Sequence, residues 1–173
     1  VQIAPFEYGP KCKSQALRKA QLLSLAEPNT GMAVTMDISE EKDIHPRNKH
    51  DVGDRLARWA LNKTYDKKNV VFSGPLYKKM EIEGSSIRIY FEYAHEGLLI
   101  KGSELTNFEI AGQDKKFYPA KAIVEGKTVV VSAPQVQSPV AVRYGWSNCA
   151  VSNLFNSALL PASSFRTDDW PLE

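Results

Sequence analysis

The first 65 residues alternate between short apolar runs and stretches in which apolar side chains recur with helical spacing. The runs at residues 1–6 and 32–36 are typical of parallel strands that are buried on both faces. Ser14 can cap a helix that continues through Ala26, and a second helical pattern covers residues 51–65. The apolar faces of these helices contain Leu17, Ala20, Leu22, Leu23 and Leu25 in the first and Val52, Leu56, Trp59 and Ala60 in the second. The pattern therefore predicts one βαβα unit.

The second helical pattern also carries charges of opposite sign four residues apart. Asp51 with Arg55, and Asp54 with Arg58, have the spacing of ion pairs on the surface of a helix. We therefore expect all four side chains on the solvent-exposed face, opposite to the apolar face of the same helix.

After residue 69 the hydrophobic period changes to two residues, as in a half-buried strand. The side chains that share one face of this strand are Ile87, Ile89, Phe91 and Tyr93. A turn at residues 83–86 predicts a hairpin, a second hairpin is predicted to turn at residues 125–126, and residues 140–144 supply another strand. Glycine and proline punctuate this region at the spacing of an antiparallel β-sandwich.

These patterns divide the chain into an α/β part, residues 1–69, and a β-sandwich part, residues 70–173. Two strands and two helices do not cover an open parallel sheet, because an edge and part of each apolar face would lack neighbours. We therefore expect the rest of the sheet to lie upstream of this sequence. An uncovered sheet edge also predicts that the isolated piece self-associates.

Charge and cysteine content narrow the classes of function. The 22 basic and 20 acidic residues are interleaved and give a net charge of +2, which is not the footprint of a protein that binds nucleic acid or a membrane surface. Cys12 and Cys149 lie far apart without metal-ligand spacing, so we predict neither a disulfide nor a zinc site. We expect no metal and no cofactor.

The candidate chemistry lies in Asp43-Ile44-His45-Pro46, between the second apolar run and the second helix. In open α/β sheets, the loops that leave the carboxyl ends of strands carry the active site. A carboxylate close to a histidine can accept the Nδ1–H of the imidazole while Nε2 faces a nucleophile, as in a hydrolase triad. The nearby acidic residues Asp37, Glu40 and Glu41 are expected to be solvated, and His50 and His95 are expected to have no chemical role.

A family resemblance supports a catalytic role for Asp43 and His45. The loop and the segments Pro46-Arg47-Asn48-Lys49, Val52-Gly53 and Arg55-Leu56-Ala57 together resemble the last conserved block of the SGNH-hydrolase superfamily, and more narrowly the sialate O-acetylesterase family. The resemblance continues through residues 108–112, 139–146 and 160–168, so it covers nearly the whole chain. It implies the C-terminal part of a flavodoxin-like SGNH-hydrolase sheet in residues 1–69, followed by an accessory antiparallel β-sandwich.

The resemblance also implies a serine esterase that removes O-acetyl groups from sialic acid or another acetylated sugar, through an acyl-serine intermediate and without a cofactor. His45 would act as general base and then general acid, and Asp43 would orient its ring. Arg47 and Lys49 are candidates for contact with a substrate carboxylate. The family's serine and oxyanion donors lie upstream of the piece seen here, so we expect this chain alone to be inactive until it joins the missing N-terminal hydrolase half. That half is either part of the same polypeptide or a cleaved partner chain. Family members are typically secreted, periplasmic or lysosomal.

A different class of function fits the β part. Aromatic residues of a sandwich, here Tyr144, Trp146 and Trp170 among others, can stack on sugar rings. The alternative is therefore a carbohydrate-binding or structural β-sandwich whose α/β piece docks it to a partner. Arg143 and residues 166–169 are predicted to hold the C-terminal tail through charged hydrogen bonds rather than to bind a ligand.

Overall fold

The structure is a computed structural model that describes residues 1–9, 11–40 and 42–171. Helix α1 spans Ser14–Leu23 and continues as a 3₁₀ turn at Ser24–Ala26, and helix α2 spans Lys49–Lys63. The side chain of Asn48 caps α2, because it accepts a hydrogen bond from the Asp51 backbone N–H at 3.1 Å. The prediction that Ser14 caps α1 is wrong, because Ser14 is the first residue of the helix itself. The cap residue is Lys13, whose side chain makes no capping hydrogen bond.

Both helices bury polar side chains and leave apolar ones at the surface. The buried residues are Ser14 and Arg18 on α1, and Arg55 and Asn62 on α2. Leu17, Leu23 and Leu56 are instead 46%, 67% and 42% exposed. The predicted apolar faces are thus buried only in part within the described residues: Trp59, for example, is half-buried and packs against Phe72 with ring centroids 4.6 Å apart.

The two apolar runs predicted as parallel strands lie side by side without forming a ladder. Residues 32–36 are buried, and the Gln2 N–H donates to the Ala33 carbonyl at 2.9 Å. The Thr35 hydroxyl donates to the Gln2 carbonyl at 2.7 Å. Neither run is a strand in the described residues, since an isolated parallel pair lacks the neighbours that stabilise such a sheet. The described residues therefore do not form the predicted flavodoxin-like sheet.

Residues 70–171, the described part of the β region, contain ten strands, all paired antiparallel. They are β1 Leu76–Glu83, β2 Ser86–Glu92, β3 Leu98–Ile100, β4 Phe108–Ala111, β5 Phe117–Pro119, β6 Lys121–Glu125, β7 Thr128–Ser132, β8 Ala141–Tyr144, β9 Leu154–Asn156 and β10 Phe165–Arg166. One four-stranded sheet has the order β1-β2-β7-β6, a second has the order β10-β8-β4-β5, and β3 pairs with β9. Both predicted hairpins and the predicted strand at 140–144 are confirmed.

Two glycines set the register of these hairpins. Glu83 pairs with Ser86 and Glu125 pairs with Thr128, so each turn has two residues and begins with glycine. Gly84 has φ +61° and Gly126 has φ +63°, which is the left-handed conformation that a type II′ turn requires at its first position.

The two four-stranded sheets share one core. Alternate residues of β2 and β7, Ile87, Ile89, Phe91, Val129 and Val131, are buried in the same cluster as Phe108, Ile110, Val142, Tyr144 and Phe165 from the other sheet. The predicted alternation is therefore confirmed for β2, except that Tyr93 lies beyond its end with φ +57°. An antiparallel sandwich follows from this packing.

The α/β part is attached to the sandwich by a buried arginine. Arg18 is fully buried and donates to the Ser164 hydroxyl at 3.2 Å and to the Ser147 carbonyl. Asn148 Oδ1 accepts the Ser14 backbone N–H at 2.9 Å. Burial lowers the pKa of the Arg18 guanidinium to about 10. The division of the chain at residues 69 and 70 stays a prediction.

The C-terminal tail is held as predicted. Arg143 donates to both carboxylate oxygens of Asp168 at 3.0 and 2.9 Å, and Arg166 donates to Asp168 and to the Trp170 carbonyl. Burial raises the pKa of the Asp168 carboxyl, but the hydrogen bonds from the two arginines more than offset it, and that pKa is below its usual value.

The described residues contain neither a candidate membrane-spanning helix nor a candidate metal site. Neither helix there has the length and apolar character needed to cross a membrane. Within residues 1–9, 11–40 and 42–171, no three histidine, cysteine or acidic side chains gather as a possible metal site. Glu41, which we expected in the solvated acidic stretch, lies outside the described residues.

Candidate active site

A buried ion pair anchors the loop that carries Asp43 and His45. Arg55 of α2 donates to the two carboxylate oxygens of Asp37 at 2.7 Å each, and to the Val34 carbonyl at 2.6 Å. Its side chain is 8% exposed. The predicted i,i+4 pair is confirmed, since Arg55 Nη2 also lies 3.9 Å from Asp51 Oδ2, but the predicted solvent exposure of Arg55 is wrong. Asp37 is likewise not a solvated acid. The pair ties the segment before the loop to the helix after it.

The second predicted ion pair behaves differently. Arg58 Nε lies 2.6 Å from Asp54 Oδ2 near the surface, which confirms the i,i+4 pair. Spacing within the helix could identify this pair but not the partner of Arg55, which is 18 residues away. The available signal for Asp37 was its position directly after a buried apolar run.

Glu40 and Arg47 close the loop from the outside. Arg47 donates from Nε and Nη2 to Glu40 Oε2 at 3.1 Å each, and its backbone N–H donates to Oε1 at 2.8 Å. The hydrogen bonds from Arg47 lower the pKa of the Glu40 carboxyl. Sequence reasoning missed this contact, which engages the guanidinium that we predicted to meet a substrate carboxylate. Lys49, the other predicted contact, is the exposed first residue of α2.

Asp43 contacts the backbone of His45, not its ring. Asp43 Oδ1 accepts the His45 backbone N–H at 2.8 Å, and the Asp43 N–H donates to the Glu40 carbonyl at 3.1 Å. Only Ile44 separates the two residues, and a carboxylate at this distance favours such an Asx turn. Both side chains are exposed. The structure therefore brings the pair together but does not place the carboxylate on Nδ1.

An apolar groove lies beside this loop. It has a volume of about 290 Å³ and is lined by residues 1–6 on one side and by Ile38, Ile44, Pro46 and Val52 on the other. Ile44 is 49% exposed within it. The groove thus sits between the N-terminal segment, the candidate loop and the start of α2.

None of the described serines forms a triad with this pair. Across residues 1–9, 11–40 and 42–171, no serine hydroxyl is hydrogen bonded to the His45 ring. Ser73 is buried, and its hydroxyl donates to the Gly74 carbonyl at 2.9 Å. The site as described contains a histidine and a carboxylate without a nucleophile.

Known proteins resemble the chain in sequence and in structure, although no protein-family model matches it. It is 32% identical to sialate O-acetylesterase of Mus musculus over 154 residues, which are 80% of this chain and 28% of that protein. It is 30% identical to sialate O-acetylesterase of Homo sapiens over 161 residues, 83% of this chain and 31% of that protein. The chain therefore spans less than one third of the length of these curated relatives.

A solved structure is similar to nearly the whole chain. The crystal structure of a carbohydrate acetylesterase from Xanthomonas citri superposes with a TM-score of 0.91 and 41% sequence identity, covering 98% of this chain and 40% of that one. An identity above 40% with nearly complete coverage of the present chain extends the agreement to both of its parts. By sequence and by structure, the chain belongs to the sialate O-acetylesterase family, as a C-terminal portion of it.

Proposed function

We propose that the chain is part of a carbohydrate O-acetylesterase and supplies the histidine and the carboxylate of its Ser-His-Asp triad. In this proposal His45 is the general base and general acid, and Asp43 is its partner. The serine nucleophile and the oxyanion donors belong to the upstream hydrolase half. The single observation that carries the proposal is the exposed His45 on a loop anchored by the Asp37–Arg55 pair, in a chain of this family.

The geometry of the loop suits an incoming nucleophile. His45 is solvent-exposed, so an upstream serine can approach it. The Asp37–Arg55 pair restrains the start of the loop, and the Asn48 cap restrains its end. A base held on restrained elements loses little entropy when it meets its partner.

The proposed reaction needs only proton transfers and one covalent intermediate. His45 Nε2 takes the serine proton as the serine oxygen attacks the acetyl carbonyl carbon. The imidazolium then returns that proton to the departing sugar oxygen, and an acetyl-serine remains. A water molecule then attacks this ester while His45 accepts its proton, and the imidazolium returns that proton to the serine oxygen as the ester bond breaks and acetic acid is released.

Asp43 can support the imidazolium from its present position. Its Oδ1 is held by the His45 backbone N–H, so the carboxylate lies beside the histidine. Rotation of the exposed imidazole about its χ angles is expected to bring Nδ1–H to the second oxygen, Oδ2. A carboxylate there stabilises the charge that His45 gains in the transition state.

The proposed substrate is an O-acetylated sugar, of which acetylated sialic acid is one example. Since Arg47 is engaged by Glu40, Lys49 is the freer of the two predicted contacts for a substrate carboxylate. Both assignments stay predictions.

Acetate release tests the proposal. We expect a polypeptide that joins this chain to the upstream half to hydrolyse 4-nitrophenyl acetate and an O-acetylated sugar, and we expect this chain alone to be inert. The measurement is the rate of acetate release at matched concentrations. Turnover by the chain alone, well above the buffer rate, would show that the nucleophile lies within these 173 residues.

The variant Asp43→Asn distinguishes a catalytic role of the Asp43 carboxylate from its role in the Asx turn of the loop. Asparagine retains an oxygen that can accept the His45 backbone N–H, so the loop should keep its conformation. We expect kcat in the complete enzyme to fall by about 10⁴-fold, the loss known for the analogous change in the serine-protease triad. An Asp43→Asn variant that keeps more than a tenth of the activity would restrict Asp43 to the loop-capping role.

A further inference from the structure

The outer face of the second sheet carries charged and aromatic side chains. Glu109 of β4 pairs with Arg143 of β8, and Phe117 of β5 pairs with Ala111 of β4. Alternate residues of a strand point to opposite faces, so Glu109, Arg143 and Phe117 share the face opposite to the core residue Ile110. A sheet face of this composition is not explained by packing in the core.

This face forms one wall of a cleft. The cleft has a volume of about 700 Å³ and is closed by Trp170 of the C-terminal tail and by Lys13 and Gln15 at the start of α1. Trp170 and Phe117 are half-buried, and their ring centroids lie 5.6 Å apart at 57°. Trp146 is buried and lines the same space. The volume is that of a pocket for a small molecule, with aromatic rings in its wall.

Two acceptors in the cleft lack partners. Gln15 Oε1 is buried and has no hydrogen-bond partner in the structure. Within the described residues, no hydrogen bond reaches the Glu109 carboxylate either, and burial raises the pKa of its carboxyl. Buried polar atoms without partners are rare, because each one costs desolvation free energy. Gln15 Oε1 is enclosed, whereas Glu109 is only half-buried, so the Glu109 carboxylate is the acceptor that a donor from outside the chain can reach.

The rim of the cleft is cationic. Lys13, Lys115 and Lys116 are exposed along it, and Lys115 Nζ lies 5.6 Å from the Trp170 ring centroid. Arg143 is engaged by Asp168, a carboxylate that it shares with Arg166. The three lysines therefore outweigh Glu109, the acidic residue that lines the cleft, and the rim attracts a negatively charged group.

We propose that this cleft is a second carbohydrate site that binds a pyranose bearing a carboxylate. The half-buried rings of Trp170 and Phe117 offer an apolar surface to the C–H face of the sugar. Glu109 accepts hydrogen bonds from the sugar hydroxyl groups, and the lysines pair with the sugar carboxylate. The cleft shares no lining residue with the groove beside His45, so the site is separate from the proposed esterase chemistry.

Calorimetric titration of the complete polypeptide with sugars that carry no O-acetyl ester tests this site, because such sugars are not turned over. The probes are the methyl glycosides of N-acetylneuraminic acid and glucuronic acid, with methyl glucoside and methyl xyloside as neutral comparisons. We expect at least one acidic glycoside to bind about tenfold more tightly than either neutral one, and the preferred glycoside identifies the class of acidic sugar. Equal affinity for neutral glycosides, or no binding of either acidic one, would overturn the proposal.

Matched variants locate the binding. Trp170→Ala should weaken the affinity about tenfold, whereas Tyr65→Ala, at an exposed aromatic residue outside the cleft, should not change it. Lys115→Gln with Lys116→Gln should weaken binding and its salt dependence, and Lys78→Gln with Lys127→Gln removes the same charge elsewhere as a control. Unchanged affinity in Trp170→Ala would place the sugar outside this cleft.

The outcome is independent of the proposed esterase function. Trp170→Ala should leave the hydrolysis of 4-nitrophenyl acetate unchanged, since this small ester needs no second sugar site. His45→Ala should leave the affinity for the acidic glycoside unchanged. Loss of binding in His45→Ala would show that the measured sugar occupies the esterase site, which would overturn the assignment of a separate one.

Discussion

His45→Ala in the complete enzyme is expected to lower kcat for acetate release by roughly 10⁴- to 10⁶-fold. Without the imidazole no group can take the serine proton and return it to the leaving sugar oxygen, so both halves of the reaction slow. The His45 side chain is exposed, and its removal leaves the backbone bond to Asp43 Oδ1 in place. The loss should therefore appear in turnover and not in folding. Initial rates with 4-nitrophenyl acetate and an O-acetylated sugar provide the measurement.

His50→Ala is the matched control. His50 lies five positions further along, has a side chain that is 92% exposed, and approaches only Asp51. Its removal should change kcat less than twofold, and both variants should retain the thermal midpoint of the parent enzyme. If His45→Ala lost no more activity than His50→Ala, the catalytic assignment of His45 would be wrong.

Arg55→Met is expected to give the largest loss of stability, about 3–5 kcal/mol in the free energy of unfolding. Asp37 would keep its charge in a site where its side chain is only 11% exposed, with no cation to balance it. The Val34 carbonyl would lose its donor as well. Because this pair anchors the candidate loop, we also expect kcat to fall in the folded fraction. The measurement is urea denaturation of the complete enzyme.

Two further variants distinguish the loss of the Asp37–Arg55 pair from the general effect of removing an arginine from α2. Arg58→Met removes the surface pair with Asp54 and should cost at most about 1 kcal/mol. The double variant Asp37→Leu with Arg55→Met removes both charges and should recover much of the lost stability, because no uncompensated charge stays buried. A cost for Arg55→Met that is no larger than for Arg58→Met would contradict the anchoring role of Asp37 and Arg55.

The family comparisons separate what this chain contributes from what the whole enzyme does. The matched region is 28–40% of the length of the relatives named sialate O-acetylesterase and carbohydrate acetylesterase. Those proteins are therefore two and a half to more than three times as long as the matched region. Within it, the described residues contain a histidine and carboxylates but no serine bonded to them. This combination supports the proposal that the serine of the triad lies in the upstream half and the histidine and aspartate lie in this chain. Acetate release by the joined and the separate halves is the direct test.

The sequence by itself determined the two hairpins and one further strand of the sandwich, which are β1, β2, β6, β7 and β8. Alternation at Ile87, Ile89 and Phe91 predicts a half-buried strand because neighbouring residues of a strand face opposite sides. Gly84 and Gly126 mark the hairpin turns because few other residues adopt positive φ without strain. These properties depend on local backbone geometry, and local geometry is encoded by nearby residues.

Only the tertiary structure decided which faces of the two helices are buried. Helical spacing predicts that leucines form the buried face, yet Arg18 and Arg55 are the buried residues. Each is held by a hydrogen-bond partner that is distant in sequence: Ser164 lies 146 residues from Arg18, and Asp37 lies 18 residues from Arg55. The same holds for the candidate site. The sequence identifies Asp43 and His45, but the loop conformation decides that the carboxylate contacts a backbone N–H and leaves the ring exposed. Contacts between distant segments depend on how the whole chain packs, which spacing along the sequence does not encode.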